Sequence, residues 1–384
     1  MLKIKVIQFF FQWTIGIFLC MYSEAQAVSH GSVASSTPTA IEISDLSSNP
    51  IASVAISGNN AIIGVGGGLA YKVNFTTQPS AIPISQLGTD PVTGTSVAIS
   101  GNNAIINGYT VDFTTGITSG IRYIFPSTPV APEVRCVAIS GDNAIIGITN
   151  GSIGSVDTVR YTSAQSIRVH PLDCISIPSV AISGNNAIFS AEHADGNKAY
   201  TVAFGSTTAT LISTLGDNIF QSIAISGNNG ILGRQGPTIL DYTVDYTDSR
   251  ATLIEGLEAD SSVTSVAISG NNAIIGCDDG KVYKVDYTDS RATLIGGLEA
   301  DSSVTSVAIS GNNAIVGYGE GKAYLIYFTS AVATEISGLG TSSVTSVAIS
   351  GNNAIIGCGD GKAYIVSIVI PPLPKTGRSW LLRS

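Results

Sequence analysis

The chain is built largely from short apolar runs of five or six residues that are separated by small polar turns. A typical pair is SVAIS at residues 53–57 and NAIIG at residues 60–64, with Gly58 and Asn59 between them. Glycine at the first central position suits a type II′ hairpin turn, where φ is positive. The runs are apolar at nearly every position, which is typical of strands buried on both faces. No window shows a sustained 3.6-residue apolar period with caps, so the pattern predicts strands and almost no helix.

This pair of runs recurs along the chain as an internal repeat. Identical or closely similar copies of SVAISGNNAIIG follow one another at spacings of 40 to 43 residues. They begin at Ser53, Ser96, Cys136, Ser179, Ser222, Ser265, Ser306 and Ser346. Each unit adds an aromatic third segment, such as residues 323–327, and a fourth segment such as residues 291–298. Four strands in a unit of this length predict an all-β fold, a β-propeller.

One unit, residues 263–289, resembles the repeat of WD-repeat propellers. In this resemblance SVAIS is the inner strand, and Asp279-Gly280 forms the turn before the third strand. Val285-Asp286 stands where the Trp-Asp dipeptide would fall, although no unit has a tryptophan there and the Gly-His opening is absent. The resemblance covers nearly the whole chain after its leader. It implies a fold and does not by itself imply a function.

The two ends of the repeat region complement each other. Residues 40–46 match a fourth strand, whereas the last unit ends with a third strand at residues 362–370. An N-terminal strand that joins the last blade would close the ring and remove exposed sheet edges. We therefore predict one propeller domain over residues 39–370 with eight four-stranded blades, and we keep seven blades as the alternative.

The segments outside this domain differ from it in character. Residues 1–27 combine Lys3 and Lys5 with an apolar run and small residues before the end, which is the pattern of a secretory signal peptide. We expect a flexible segment at residues 28–38 and a proline-containing tail at residues 371–384. The protein is thus predicted to be exported to the periplasm, the cell surface or the medium.

The tail contains the string LPKTG at residues 373–377, which resembles a sortase sorting signal. Such a signal also needs a long apolar segment, and only seven residues follow the string here. A chance match and a truncated sorting signal both remain open.

The charge balance limits the classes of partner. The chain has 18 Lys and Arg against 27 Asp and Glu, a formal net charge of −9. Nucleic-acid binding needs clustered cations, so a nucleic-acid partner is not expected. A protein or a glycan remains as the partner, and we expect a monomer without a membrane span once the leader is cleaved.

Carboxylates recur in the loops after the second and fourth strands, which share one face of a propeller with the usual strand order. The candidates for a partner-binding rim are Asp260, Asp279, Asp301, Glu320 and Asp360. An acidic rim attracts a basic partner. The plainer interpretation, which we favour, is that a chain this apolar needs solvated polar loops.

Residues 116–135 and 148–177 depart most from the repeat, and they contain three further candidates, Arg160, Arg168 and His170. Because loops on a rigid scaffold commonly carry recognition, we predict a partner-binding surface over blades 2 to 4. Neutral drift in older repeats is the alternative.

Residues with catalytic potential are sparse. Glu192, His193 and Asp195 form a weak metal-like cluster without a regular second histidine nearby. The inner-strand serines have no histidine or carboxylate in the same strand to activate them. We expect no catalytic residue, no metal and no cofactor. Cys136 and Cys174 belong to neighbouring units and are predicted either to form a disulfide or to stay free.

These observations favour an exported binding or scaffolding module that holds a protein or a glycan without catalysis. The alternative is a lactonase-like propeller hydrolase with a metal in the central funnel. Enzymes of that kind place titratable residues around the channel, whereas the channel strands here repeat Ser-Val-Ala-Ile-Ser.

Overall fold

The computed structural model describes one compact unit of the chain, within residues 37–368. The residues inside that range that it leaves out are 76–77, 86, 88–95, 122–132, 151–152, 171, 214, 216–218, 237–240, 259–261, 299 and 330–331. The predicted signal peptide, most of the predicted flexible segment and the tail lie outside the described residues.

The described strands form eight separate four-stranded antiparallel sheets, which are the blades of a propeller. The inner strands are β2 (Ile51–Ser57), β6 (Val97–Ser100), β10 (Glu133–Ser140), β14 (Val180–Ser183), β18 (Ile219–Ser226), β22 (Val263–Ser269), β26 (Val304–Ser310) and β30 (Val344–Ser350). The second strands are β3 (Asn60–Val65), β7 (Asn103–Ile106), β11 (Asn143–Asn150), β15 (Asn186–His193), β19 (Asn229–Gln235), β23 (Asn272–Cys277), β27 (Asn313–Tyr318) and β31 (Asn353–Cys358).

The remaining strands complete each blade towards the outside. The third strands are β4 (Leu69–Asn74), β8 (Tyr109–Asp112), β12 (Ile153–Arg160), β16 (Gly196–Ala203), β20 (Tyr242–Asp245), β24 (Val282–Asp286), β28 (Ala323–Tyr327) and β32 (Ala363–Ser367). The outer strands are β5 (Ile82–Pro83), β9 (Thr118–Gly120), β13 (Gln165–Arg168), β17 (Thr210–Leu211), β21 (Arg250–Leu253), β25 (Arg291–Leu294), β29 (Val332–Glu335) and β1 (Ala40–Glu42). Blades are numbered from β2, so blade 8 consists of β30, β31, β32 and β1.

The ring closes through the N-terminal strand. Ile41 of β1 pairs with Ile365 of β32, and the Ile43 N–H donates to the Ala363 carbonyl at 2.8 Å. The inner strand of blade 8 also contacts that of blade 1. The prediction of eight blades closed by an N-terminal strand is confirmed, and the seven-bladed alternative is wrong.

Helix is almost absent from the described residues, as the sequence predicted. One 3₁₀ turn spans Tyr161–Ser163. Nothing helical in the described part of the chain has the length and apolar character needed to cross a membrane.

Each hairpin between an inner and a second strand turns at a glycine. Gly58 has a φ of 60°, and its counterparts in the other blades lie between 58° and 63°. The asparagine or aspartate after the glycine does not have a positive φ, so these are type II′ turns. A Cβ atom on Gly58 would meet nothing within 4 Å, so backbone conformation and not space selects glycine here.

A ring of hydrogen bonds joins every blade to the next on this turn face. The serine that ends each inner strand accepts a hydrogen bond, at 2.8–3.0 Å, from the turn-glycine N–H of the following blade. The pairs are Ser57–Gly101, Ser100–Gly141, Ser140–Gly184, Ser183–Gly227, Ser226–Gly270, Ser269–Gly311, Ser310–Gly351 and Ser350–Gly58. The last pair closes the ring across the two ends of the chain.

The second asparagine of the turn adds a parallel set of links. Asn60 Nδ2 donates to Asn102 Oδ1 of blade 2 at 2.8 Å, and Asn353 Nδ2 of blade 8 donates to Asn59 Oδ1 at 2.7 Å. The repeated asparagines therefore have a structural role, because their amides connect neighbouring turns.

The core lies between the blades. Ile274 and Ile275 on β23 point to opposite faces of the sheet, and both are fully buried. Ile231 of blade 5 packs in one cluster with Val263 and Val266 of blade 6. Burial on both faces explains why the second strands are apolar at successive positions.

Candidate binding cavity over blades 3 to 5

A cavity of about 590 Å³ opens on the face opposite the turns, above blades 3, 4 and 5. Blade 3 contributes Arg135 and Thr149, the connection into blade 4 contributes residues 175–178, blade 4 contributes Glu192, and blade 5 contributes Gln221. Ligand-binding clefts commonly measure about 300–1,000 Å³. The cavity is therefore large enough for a ligand group.

Three residues of the cavity wall occupy one position of the repeat. Arg135, Pro178 and Gln221 each directly precede the residue that begins the SVAIS-type run, where blades 6, 7 and 8 have threonine. Those threonine hydroxyls donate to a glycine carbonyl of their own second strand at 3.0–3.1 Å. The three pairs are Thr264–Gly276, Thr305–Gly317 and Thr345–Gly357.

The backbone explains why this position faces the cavity. The pairing register of the inner strand shifts here in blade 3, between Val134 and Cys136, and in blade 5, between Phe220 and Ser222. A bulge of this kind re-aims the side chain of the extra residue. Larger side chains at the bulge therefore replace a satisfied threonine with groups that line the cavity.

Pro178 shortens the inner strand of blade 4. Proline has no N–H to donate to a ladder, and β14 begins only at Val180. The preceding connection instead forms single bridges to both neighbouring blades, Cys174 to Gly154 and Ser176 to Glu192. This connection becomes a wall of the cavity.

The charged groups of the cavity have different partners. Arg135 Nη2 lies 3.1 Å from Glu133 Oε2 on the same strand. The Ser176 hydroxyl donates to Glu192 Oε2 at 2.7 Å. Glu192 forms no ion pair with any described residue, so the cavity presents a carboxylate whose charge is not neutralised locally.

Thr149 contributes a buried hydroxyl to the wall. The residue is 7% exposed, and its Oγ1 has no hydrogen-bond partner among the described residues. Buried polar atoms without a partner are uncommon in folded proteins. The fold therefore leaves this hydroxyl without a partner, and its oxygen is buried within the wall rather than open to the cavity.

The predicted metal-like cluster does not converge. His193 Nδ1 lies 2.8 Å from the Asp173 carbonyl oxygen, and Nε2 lies 3.1 Å from the Tyr200 hydroxyl. Lys198 donates to Asp195 at 2.8 Å and lowers the pKa of that carboxyl. With Glu192 bonded to Ser176, each of the three side chains has its own partner. No group of three or more metal-ligating side chains occurs in the described part of the chain.

The three candidates from the irregular segments lie at separate places. Arg160 is on the turn face, where its Nη1 lies 3.5 Å from Asp142. Arg168 is part of an ion pair with the fully buried Asp157, at 3.0 Å, within blade 3. His170 is exposed beyond the end of β13. The structure thus does not gather them into one surface.

The rim carboxylates lie on the predicted face, since the loop after β27 contacts the connection before β26. There the Glu320 N–H donates to the Ser302 hydroxyl at 3.1 Å. Several rim carboxylates interact within their own loop. Asp279 pairs with Lys281 at 2.7 Å and raises the pKa of that lysine. Glu320 pairs with Lys322 at 3.1 Å.

The remaining rim candidates that the structure describes form no ion pair with a described residue. Asp360 accepts a hydrogen bond from the Lys362 N–H at 3.1 Å, and Asp301 is exposed. Asp260 lies outside the described residues. Because lysines accompany the acidic groups, the rim offers less net negative charge than the carboxylates alone suggest.

Cys136 and Cys174 are free, so the disulfide that the sequence left open is not formed. Their thiols donate to backbone carbonyls, Cys136 to Ile177 at 3.4 Å and Cys174 to Gly154 at 3.2 Å. Burial raises the pKa of Cys136 to about 12 and that of Cys174 to about 11. The thiols are therefore unreactive at neutral pH, since the thiolate is the reactive form.

Sequence reasoning did not single out Arg135, Thr149 or Gln221 as site residues, although Arg135 and Thr149 lie in the two irregular segments that it assigned to partner binding. A signal for two of them was present, because Arg135 and Gln221 break the threonine consensus at one position of the repeat. Their joint placement at one cavity is visible in the structure and not in the sequence.

Comparison with known proteins supports the fold. No family model matches the chain, and no curated protein matches it significantly. Among solved structures, the computationally designed Ika8 protein is similar with a TM-score of 0.66 at 15% identity, over 85% of this chain and 98% of that one. Sqt1 of Saccharomyces cerevisiae, a WD-repeat protein, is similar with a TM-score of 0.62 at 12% identity, over 87% and 100%. At these identities the likeness concerns the fold, and the WD-repeat-like resemblance holds at that level.

Proposed function

We propose that this protein is a non-catalytic binding or scaffolding module that holds a protein or glycan partner. The observation that best supports this is the serine–glycine ring. Each inner-strand serine, such as Ser57 or Ser350, already accepts a hydrogen bond from the next blade. A serine needs an adjacent base to act as a nucleophile. These serines serve to hold the disc rigid.

A rigid disc suits recognition, because little conformational freedom is lost when a partner binds a preorganised surface. We assign the contact surface to the cavity above blades 3 to 5. Its wall combines a cation at Arg135, a carboxylate at Glu192 and an amide at Gln221 with aliphatic groups. The wall exposes more polar than apolar surface, so it offers several groups that can fix the orientation of a ligand.

We further propose that the module acts outside the cytoplasm, in the periplasm, at the cell surface or in the medium. The basic residues and apolar run of residues 1–27 support this proposal. Expression as a fusion to a reporter that is active only after export tests it, with a fusion that lacks these residues as the control.

Binding is tested by presenting the purified chain to a peptide library and to a glycan array. The variant Arg135→Thr/Gln221→Thr restores the residue of the regular blades at both positions and should abolish the binding. Thr305→Ala, at the same position of blade 7, is the matched control and should leave it unchanged. Absence of binding to both libraries would contradict the proposal.

The hydrolase alternative has its own readout. Turnover of lactone or aryl ester substrates with added zinc or calcium, lost in His193→Ala, would replace the binding proposal with an enzymatic one. We expect no turnover, because the His193 ring nitrogens face Asp173 and Tyr200.

A further inference from the structure

The side chain of Glu192 is not needed for the backbone contact that this position of the repeat makes. Its backbone makes the structural contact, since its N–H donates to the Ser176 carbonyl at 3.0 Å. Blades 7 and 8 make the equivalent contact with glycine, as Gly319 N–H donates to Ser303 at 3.1 Å and Gly359 N–H to Ser343 at 2.9 Å. A side chain is therefore not required at this position of the repeat.

The same position in blade 6 shows what a structural carboxylate does there. Asp278 Oδ1 accepts a hydrogen bond from the Ser262 N–H at 2.8 Å and so completes the loop. Glu192 is one methylene longer and exposed, and the side-chain partner that it has among the described residues is the Ser176 hydroxyl. Its charge is directed to the cavity and not to the backbone.

The other charge in the cavity does not neutralise this carboxylate. Arg135 is already paired with Glu133, at 3.1 Å. The cavity and its edge thus carry one cation and two carboxylates, in a chain of formal net charge −9. Both the local and the overall charge attract a cationic ligand group.

The aliphatic part of the wall fits a flexible aliphatic stem. Ile175 is 41% exposed at the edge, and Pro178 lies beside it in the wall. Lysine and arginine lay their methylene stems along such surfaces while the charged end reaches a polar partner. The lining residues that the structure describes include no aromatic ring on which a sugar face could stack.

We propose that the cavity takes a lysine or arginine side chain that an extended peptide segment of a partner protein presents. Its cation pairs with the Glu192 carboxylate, and its stem packs on Ile175 and Pro178. The Gln221 amide is available to hydrogen-bond the rest of the segment. This inference rests on the proposed binding function and names the partner class.

The test uses the purified full chain and two fluorescein-labelled hexapeptide libraries. One library has lysine fixed at a central position, and the other has norleucine, which keeps the stem and removes the charge. Fluorescence anisotropy should show that the lysine library binds at least about tenfold more tightly than the norleucine library. The reason is that norleucine cannot form the charged hydrogen bond to Glu192. Added salt should narrow the difference.

Glu192→Gln should weaken binding of the lysine library by about tenfold and leave the norleucine library unchanged. Asp278→Asn in blade 6 is the matched control and should change neither. Both variants should keep the circular dichroism spectrum of the unmodified protein, since glutamine and asparagine are nearly isosteric with the residues they replace.

Three results would overturn the inference. Equal binding of both libraries, or an unaffected Glu192→Gln variant, would exclude a cation at this carboxylate. If the protein binds glycans and no peptides, and the Arg135→Thr/Gln221→Thr variant loses that binding, the peptide ligand is excluded and the proposed binding function is retained. Binding of neither peptides nor glycans would contradict both proposals.

Discussion

Blades 6 to 8 and blades 3 to 5 have the same four-stranded arrangement and differ in the side chains that pack within and between the sheets. In blade 6 the third and outer strands pair Tyr283 with Leu294, and Tyr283 is almost fully buried. At the same register in blade 3, Asp157 pairs with Arg168. The register position that holds an aromatic and an aliphatic residue in one region thus holds an ion pair in the other. The stacking of four-stranded sheets tolerates this exchange.

The face of the second strand that meets the next blade shows a contrast that is confined to blade 4. Blades 3, 5, 6, 7 and 8 have glycine there, and a Cβ atom on Gly317 would overlap Val344 of blade 8. Blade 4 has Ser190 at that position, 1% exposed and with no hydrogen-bond partner for its hydroxyl among the described residues. Regular blades approach each other closely, and blade 4 leaves room for a side chain.

Blades 3 to 5 thus hold buried polar groups, such as Asp157, Ser190 and Asp241, at positions where the regular blades have other residues. Buried ion pairs and unpartnered hydroxyls are costly compared with apolar packing. The same three blades surround the cavity. We infer that the irregular residues are kept at a cost in stability, which is the pattern expected where a scaffold carries a site. Substitutions that exchange the two kinds of residue test this comparison.

The largest effect is expected at the buried ion pair. Asp157→Ala should lower the free energy of unfolding by about 3–5 kcal/mol, because it removes the carboxylate that Arg168 faces at 3.0 Å. Asp157→Tyr/Arg168→Leu supplies the pair found in blade 6 and should recover most of that loss. Urea unfolding measures both. A double variant less stable than the single one would show that blade 3 cannot accept the regular packing.

The next effect concerns the spacing between blades. Gly317→Ala should cost about 1–3 kcal/mol, since the added methyl group overlaps Val344 in a packed interface. Ser190→Ala at the same position of blade 4 should be neutral within about 0.5 kcal/mol or stabilising, because it removes an unpartnered hydroxyl. If both variants lose the same free energy of unfolding, blades 7 and 4 do not differ in their distance from the next blade.

A pH effect is expected from Asp241 in blade 5, which stands where blade 6 has the buried Val282. Burial raises the pKa of Asp241 to about 7, although the Arg234 N–H donates to its Oδ1 at 2.7 Å. Between its usual pKa near 4 and about 7, the folded chain holds a proton that the unfolded chain has released. This group therefore makes stability fall as pH rises through that window, by up to about 1.4 kcal/mol per pH unit.

Asp241→Val should remove this fall and leave stability flatter between pH 5 and 7 than in the unmodified protein (roughly the window in which the buried carboxyl titrates). Chemical denaturation at a series of pH values measures the slope. Asp278→Asn, which changes an exposed carboxylate of blade 6, is the control and should keep the original slope. An unchanged slope in Asp241→Val would place the pH dependence elsewhere.

The sequence predicted the architecture well because the repeat is local and self-consistent. The type II′ turn follows from Gly58-Asn59, and the closing strand follows from the match of residues 40–46 to a fourth strand. Each inference needed residues within one unit or a comparison between units. The blade count could therefore be read from the chain without knowing any contact.

The site was harder to predict because it forms across units. Arg135 and Gln221 lie in blades on either side of Pro178, and all three line one cavity although they are more than 40 residues apart along the chain. The net charge of the rim was hard to predict for a different reason. Asp279 and Lys281 are two residues apart, and this local pairing reduces the charge that the carboxylates present.

The smallest expected effect concerns the hydrogen bonds between neighbouring inner strands at the end opposite the turns. The serine that begins SVAIS in blades 5 to 8 accepts a hydrogen bond from the next inner strand, as Ser306 does from the Val347 N–H at 3.1 Å. Among the described residues of blade 4, Ser179 makes no such side-chain bond, and in blade 3 Cys136 takes the serine's place and donates to Ile177 instead. This row of bonds thus runs through blades 5 to 8, and the described residues of blades 3 and 4 lack it.

Ser306→Ala should therefore lower the free energy of unfolding by about 1 kcal/mol, because it removes one hydrogen bond and leaves the Val347 N–H without its acceptor. Ser179→Ala should stay within about 0.5 kcal/mol of the unmodified protein. Hydrogen exchange adds a local readout, since the Val347 amide should lose protection in Ser306→Ala while the turn-glycine amides keep theirs. Equal losses in the two alanine variants would mean that the inner strands of both regions are held together in the same way.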